Sequence, residues 1–235
     1  MIGIIGALDI ELNFLFENMV IARTELIADK TFYLGHIKNQ EVVVSKSDIG
    51  KVNASITATI MASYFKVKLI INTGIAGGLH PAQVGDIILA NGLSYFDAST
   101  TAIDDAPHGQ LGDDPLIVKT DKAYLHKAIN VFNKLAYDYK IGHIVSGDKF
   151  VTKIRTLDKI SKNVTNILAC EMEGMAIAIT AYKFNIPFIS IRGISDVVED
   201  KGQTLSYKKI AHEIAKKSSQ FVLSFLGVLN ESNKA

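Results

Sequence analysis

Two acidic clusters in the C-terminal half of the chain have the residue types and spacing to do chemistry. One is Ala169-Cys-Glu171-Met-Glu173-Gly; the other, Ile189-Ser-Ile-Arg192-Gly-Ile-Ser195-Asp196, follows the next apolar run. A third acidic site, in Gly6-Ala-Leu-Asp9-Ile-Glu11, comes directly after the apolar start of the chain. Carboxyl groups at the ends of apolar runs lie close to buried surface, where loss of hydration raises their pKa. Acids held in different protonation states can give and take protons on one substrate. Each also has a structural reading: Glu171 or Glu173 at the positive end of a helix, and Asp196 capping a turn after Ser195. Their shared position at strand-like ends is what points to one site.

The elements that must position these acids are legible as apolar runs at 2–7, 42–45, 68–72, 86–90, 141–146, 167–170 and 187–191, a pattern suited to strands buried on both faces. Helical periodicity falls between them at 51–65, 121–135, 172–184 and 206–229. The alternation predicts an α/β fold with a twisted, mostly parallel sheet covered by helices. Ligands in such folds gather at the carboxyl ends of the strands. Asn72-Thr-Gly74-Ile-Ala-Gly77-Gly78 reads as a turn after a strand, either a simple tight turn or backbone that approaches a ligand closely. Residues 94–115, rich in Asp, Thr and Gly, read as a long functional surface loop.

With 235 residues and 48% apolar content, the chain is expected to form a single domain over 1–235. The 25 basic residues are scattered against 24 acidic ones, which leaves no footprint for nucleic acid and favours a small, weakly charged substrate. Asp9 and Glu11 interrupt the apolar N-terminus well short of signal-peptide or membrane-span length, so a cytoplasmic location without membrane contact is expected. Cys170 is the sole cysteine, which excludes an intrachain disulfide and suggests core packing. The six histidines lack metal-ligand spacing, Gly3-Ile-Ile-Gly6 is no dinucleotide fingerprint, and Asp48-Ile-Gly50-Lys51-Val52 is no phosphate loop. No cofactor or metal is expected.

Taken together, Gly3-Ile-Ile-Gly-Ala7 with Glu11, Ile49-Gly-Lys-Val52, Asn72-Thr-Gly74 with Ala76-Gly-Gly78, Val84-Gly-Asp86, Val145-Ser-Gly-Asp148, Glu171-Met-Glu173 and Ser195-Asp196 resemble the motifs of the 5′-methylthioadenosine/S-adenosylhomocysteine nucleosidases. The resemblance spans nearly the whole chain. It implies a three-layer α/β/α, nucleoside phosphorylase-like fold, a homodimer, and a role in recycling by-products of S-adenosylmethionine. It also implies roles for particular positions. Asp196 would protonate adenine N7, Glu11 would activate water, Glu173 would hold the ribose hydroxyls, and Arg192 would order the water and the acids. Phe150 would stack on adenine, the Val151 backbone would read its edge, and Met172 would pack under the ribose. Ile49 and Tyr207 would line the 5′ tail, with Ile75, Ala76, Gly77 and Ser195 completing the substrate contacts.

The chemistry is coherent without the resemblance. Adenine leaves poorly as an anion, so a neutral carboxylic acid at N7 lowers the barrier. A carboxylate on the ribose hydroxyls stabilises the developing positive charge, and another activates water on the opposite face. Phosphorolysis would instead need cationic donors for phosphate, yet only Arg23, Arg155 and Arg192 exist, and Asp9 and Glu11 occupy the segment after the first strand. A purine nucleoside phosphorylase is therefore the second reading, and a non-catalytic adenosine-binding protein the third. Two departures bear on the substrate. Ile75 stands where the family often has a small polar residue. The 102–110 loop carries Asp104 and Asp105 where the family tends to place aromatic residues over the tail.

Overall fold

The computed structural model describes residues 1–229. Its elements run β1 (Ile2–Gly6), α1 (Asp9–Glu17), β2 (Met19–Ile27), β3 (Lys30–Ile37), β4 (Gln40–Lys46), α2 (Lys51–Ser63), β5 (Ile70–Gly78), β6 (Ile87–Tyr95), β7 (Val118–Lys119), α3 (Lys122–Lys134), β8 (Lys140–Ser146), β9 (Ile167–Glu171), α4 (Gly174–Lys183), β10 (Phe188–Val197) and α5 (Gln203–Leu229).

The continuous apolar runs become strands covered on both faces because alternate residues enter different cores. Ile4, Val44 and Ile71 pack in one cluster with Leu12 and Leu15 of α1, Phe132 of α3 and Phe221 and Phe225 of α5. Their neighbours Ile5, Val43 and Ile70 pack in the other with Ala58 and Met61 of α2 and Ile177 and Ala181 of α4. Helices therefore cover both faces of the sheet, giving the α/β/α layering. The sheet is mixed as expected, with five parallel and five antiparallel strand pairings among the described residues.

The topology is centred on β5. Along one edge β5 pairs with β10 from Ile70 to Gly78. Along the other, β1 pairs with Ile70, Ile71 and Asn72, and antiparallel β9 pairs with Gly77 and Gly78. Between them, residues 73–76 meet no strand on that edge among the described residues. Because β9 continues through β8 and β6 back to β10, five strands close into a ring, and β1, β4, β3 and β2 extend from it. The fork between β1 and β9 is where the chain places its acids.

Several expected boundaries move. The segment from Asn72 to Gly78, read as a turn, is strand, because β10 supplies it with backbone partners. Strand β10 likewise continues past residue 191 to Val197, carrying Arg192, Ser195 and Asp196 within it. Ser94 and Tyr95, placed in the long loop, belong to β6. The antiparallel pair β2 and β3 and the helix α1 were not anticipated.

Candidate active site

Glu11 sits in the first turn of α1, where its carboxylate reaches back to the helix start: Oε2 accepts from the backbone N–H groups of Ala7 (2.6 Å) and Leu8 (3.0 Å). Its Oε1 accepts from Ile75 N–H at 2.9 Å, using a donor on the strandless stretch of β5. Burial pushes this carboxyl above its ordinary value, opposed by Arg192 and the three backbone donors. Gly74 makes the close approach feasible, since a Cβ there would overlap the Glu11 carboxylate and the Arg192 guanidinium.

Arg192 enters from β10 and is 1% exposed. Its Nε donates to Asn72 Oδ1 (3.2 Å), Nη1 to the Ile75 carbonyl (3.2 Å) and Nη2 to Glu171 Oε2 (2.5 Å). Glu11 and Glu173 each lie 3.7 Å away. Glu171 is committed twice, accepting from Arg192 and also from Ser146 Oγ and the backbone of Glu173 and Gly174 at the start of α4. It therefore takes the capping role that either acid of that cluster could have filled. Glu173 is left with one backbone donor, Gly50 N–H at 2.8 Å, which the positive φ of Gly50 (98°) presents from the start of α2. Burial and the adjacent Glu171 push Glu173 up to about 8.

Asp196 is buried and held from two sides. Ser195 Oγ donates to Oδ1 at 2.7 Å, and Gln203 Nε2 donates to Oδ2 at 2.8 Å. Burial raises its pKa, and these two donors oppose the rise. Arg192 is spent on Glu11, Glu171 and Glu173, so no salt bridge among the described residues holds Asp196 ionised.

These acids converge on a cavity of about 290 Å³. Glu11, Ile49, Ile75, Ala76, Gly77, Phe150, Val151, Met172, Glu173, Ser195, Asp196 and Tyr207 all line it, whereas Arg192 lies behind the acids, off the wall. Phe150 and Tyr207 meet edge to face at its mouth, ring centroids 5.8 Å apart. The side chain of Ile75 packs with Ala211, Ile214 and Ala215 of α5, so the contact it makes with the acids is through its backbone. The loop after β6 does not line the cavity, and Ile103 at its tip is 85% exposed. Asp148, quoted in the sequence motif, caps α2 through Lys51 N–H (2.8 Å) and donates its own N–H to Asp97, tying the Phe150 loop to that helix. Ala7, Leu8, Lys149, Cys170 and Glu171 also line the cavity without having been assigned to it. Gln203 was missed entirely; a glutamine at a polar helix start carries no sequence signal for a contact seven residues back.

No group of three or more metal-ligating side chains is found among the described residues. The polar groups gathered at the cavity are carboxyl groups, backbone donors, the Ser195 and Tyr207 hydroxyls and Lys149, with Arg192 buried beside the acids.

Fold and site together are of the class described as the phosphorylase superfamily, whose family model matches residues 1–227. Similarity narrows further within it. The 5′-methylthioadenosine/S-adenosylhomocysteine nucleosidase of Staphylococcus haemolyticus is 40% identical over 230 residues, covering 97% of this chain and all of the relative. Among solved structures, the S-adenosylhomocysteine nucleosidase of Streptococcus pyogenes in complex with 5-methylthiotubericidin superposes with a TM-score of 0.91 at 33% identity, covering 97% of this chain and 96% of that one. The methylthioadenosine/S-adenosylhomocysteine nucleosidase of S. pneumoniae with a transition-state inhibitor gives a TM-score of 0.90 at 32% identity, covering 97% and 99%. The chain belongs to the 5′-methylthioadenosine/S-adenosylhomocysteine nucleosidase family.

Proposed function

We propose that the protein, acting as one domain, hydrolyses the N-glycosidic bond of 5′-methylthioadenosine and S-adenosylhomocysteine, releasing adenine and a 5′-thio-substituted ribose. The observation that carries this reading is the convergence of Glu11, Glu173 and Asp196 on one cavity, each in a different environment.

Asp196, buried and without a cationic partner among the described residues, gives its proton to adenine N7, so the base leaves neutral. Phe150 stacks on the base and the Val151 backbone reads its edge. As the bond breaks, the ribose gains positive charge, and Glu173 on its hydroxyls stabilises that charge more in the transition state than in the ground state. Burial and the neighbouring Glu171 raise the pKa of Glu173, and positive charge developing on the sugar favours its ionised form. Glu11 accepts the proton of the attacking water; its raised pKa makes it a stronger base, and Arg192 with three backbone donors keeps its ionised form accessible. Arg192 acts by fixing the acids. Met172, Ile49 and Tyr207 enclose the ribose and its 5′ substituent.

Water is favoured over phosphate as nucleophile because the buried guanidinium is already spent on carboxylates, while Arg23 and Arg155 are exposed and do not line the cavity. We further propose a cytoplasmic homodimer in the salvage of S-adenosylmethionine by-products. Exposed Val52 and Ile56 of α2, beside Leu111 of the long loop, support an apolar subunit contact next to the site.

Adenine release from both thio-nucleosides, measured with and without phosphate, tests the activity. Release independent of phosphate and lost in Asp196→Asn is expected. Strict phosphate dependence would establish phosphorolysis instead, and no release from either substrate would leave the binding-protein reading.

A further inference from the structure

Asp196 and Val151 stand on different parts of the sheet. Asp196 belongs to β10, and Val151 follows β8, with β6 lying between these two strands. Strand pairing therefore does not set the distance between the acid and the Val151 backbone. One side chain bridges the two directly, beside the Ile154 N–H to Glu199 contact that joins the neighbouring segments. Gln203, the first residue of α5, donates from Nε2 to Asp196 Oδ2 at 2.8 Å and to the Val151 carbonyl at 3.0 Å, using both hydrogens of its carboxamide. It is 7% exposed and is not among the residues that line the cavity. With Ser195 Oγ on Oδ1, each oxygen of Asp196 has one fixed donor.

We infer that Gln203 is a positioning residue that ties the proton donor to the backbone reading the base, so that the base is protonated only in the register in which its edge is recognised. The inference rests on the nucleosidase reading above. Gln203 also acts on the acid itself, because a donor to the carboxylate favours its ionised form. Among the described residues, the other groups facing Asp196 are the Cys170 thiol of β9, Ser195 beside it on β10 and the Tyr207 hydroxyl of α5, and Lys149 lines the same cavity without a salt bridge to it.

Gln203→Met keeps the length of the side chain and removes both donors; Gln203→Glu keeps its shape and replaces the donors with an acceptor. Both variants of the full chain are expected to bind adenine more weakly by calorimetry and to lose at least about tenfold in kcat/KM, part of the roughly 10² to 10⁴ that a positioned acid contributes. The alkaline limb of the kcat/KM profile reports ionisation of the acid and should move to higher pH in both, further in Gln203→Glu. Should the methionine variant not fold, the glutamate variant carries the same test. An unmoved alkaline limb, whatever the rate, overturns the inference. So does tighter adenine binding, which would mean that the carboxamide stands where the amine of the base belongs and is displaced by it. Absence of turnover in the wild-type protein would instead strike the underlying reading.

Discussion

Arg192 Nη2 stands 2.5 Å from Glu171 Oε2, with side-chain exposures of 1% and 3%. An ion pair this deep offsets a large desolvation cost only while all of its partners are present. The guanidinium also serves Asn72, the Ile75 carbonyl, Glu11 and Glu173, so one residue of β10 holds together β5, the start of α1 and the start of α4. Replacing it by methionine leaves three carboxyl groups without their cation. Arg192→Met is expected to lose about 3–5 kcal/mol of stability, a fall in Tm on the order of 10 °C for a chain of this size. Calorimetric unfolding at neutral pH checks this, and a Tm within two degrees or so of wild type would mean that the acids reorganise without it.

Asp196 is the acid whose burial favours a proton and which no described cation pairs. Asp196→Asn keeps the shape and an acceptor for Ser195 Oγ but has no acidic proton to give. Turnover should fall by roughly 10² to 10⁴, the usual contribution of a positioned general acid, and the new amide facing Gln203 Nε2 should cost about 1–3 kcal/mol of stability. Single-turnover adenine release isolates the chemical step; a loss smaller than about tenfold would move the proton donor elsewhere.

Glu173 makes stability depend on pH in a stated direction. Its ordinary value is 4.5, and the fold raises it to about 8. Between those values the folded protein keeps a proton that the unfolded chain has lost, so this group lowers stability as pH rises through the window. Glu173→Gln cannot ionise and removes that slope. The variant should be inactive or nearly so, should lose stability less steeply than wild type from about pH 5 to 8, and should be the more stable protein above pH 8 or so. Tm recorded against pH for both proteins tests this, and parallel curves would refute the raised value.

How much of this was legible in the sequence follows from what each feature depends on. The double-sided apolar strands and the four helices beginning near residues 51, 121, 172 and 206 are encoded locally, and they appear within a few residues of their expected places. The acids were findable because carboxylates at the ends of apolar runs are costly unless arranged for a purpose. Strand β2 was not, since five consecutive residues, Val20–Thr24, are exposed and leave no alternating pattern. The stretch from Asn72 to Gly78 reads as glycine-bearing backbone that approaches a ligand and does line the cavity, but it lies within β5 rather than after it, because pairing with β10 along its whole length continues the strand. Gln203 and the Gly50 donor depend on contacts between distant segments and have no periodic signature.

Gly74 gives a test of how closely the site is packed. Its φ of +152° lies where side chains are rarely tolerated, and a Cβ would also collide with the Glu11 carboxylate and Arg192 Nη1. Gly85 offers the control: its φ is +93°, but a Cβ there meets nothing within 4 Å. Gly85→Ala should therefore show backbone strain alone, about 1–2 kcal/mol, with adenine release intact. Gly74→Ala adds crowding to strain, and the relief available is to push Glu11 away from Ile75 N–H and out of its place beside the cavity. It should lose more stability than the control and most of its activity, with kcat falling more than KM rises, because Glu11 is required for attack rather than for binding. Urea unfolding and steady-state kinetics on the two variants decide it: equal losses of stability with full activity in both would mean that Glu11 has room to move and that its three backbone donors do not fix its position.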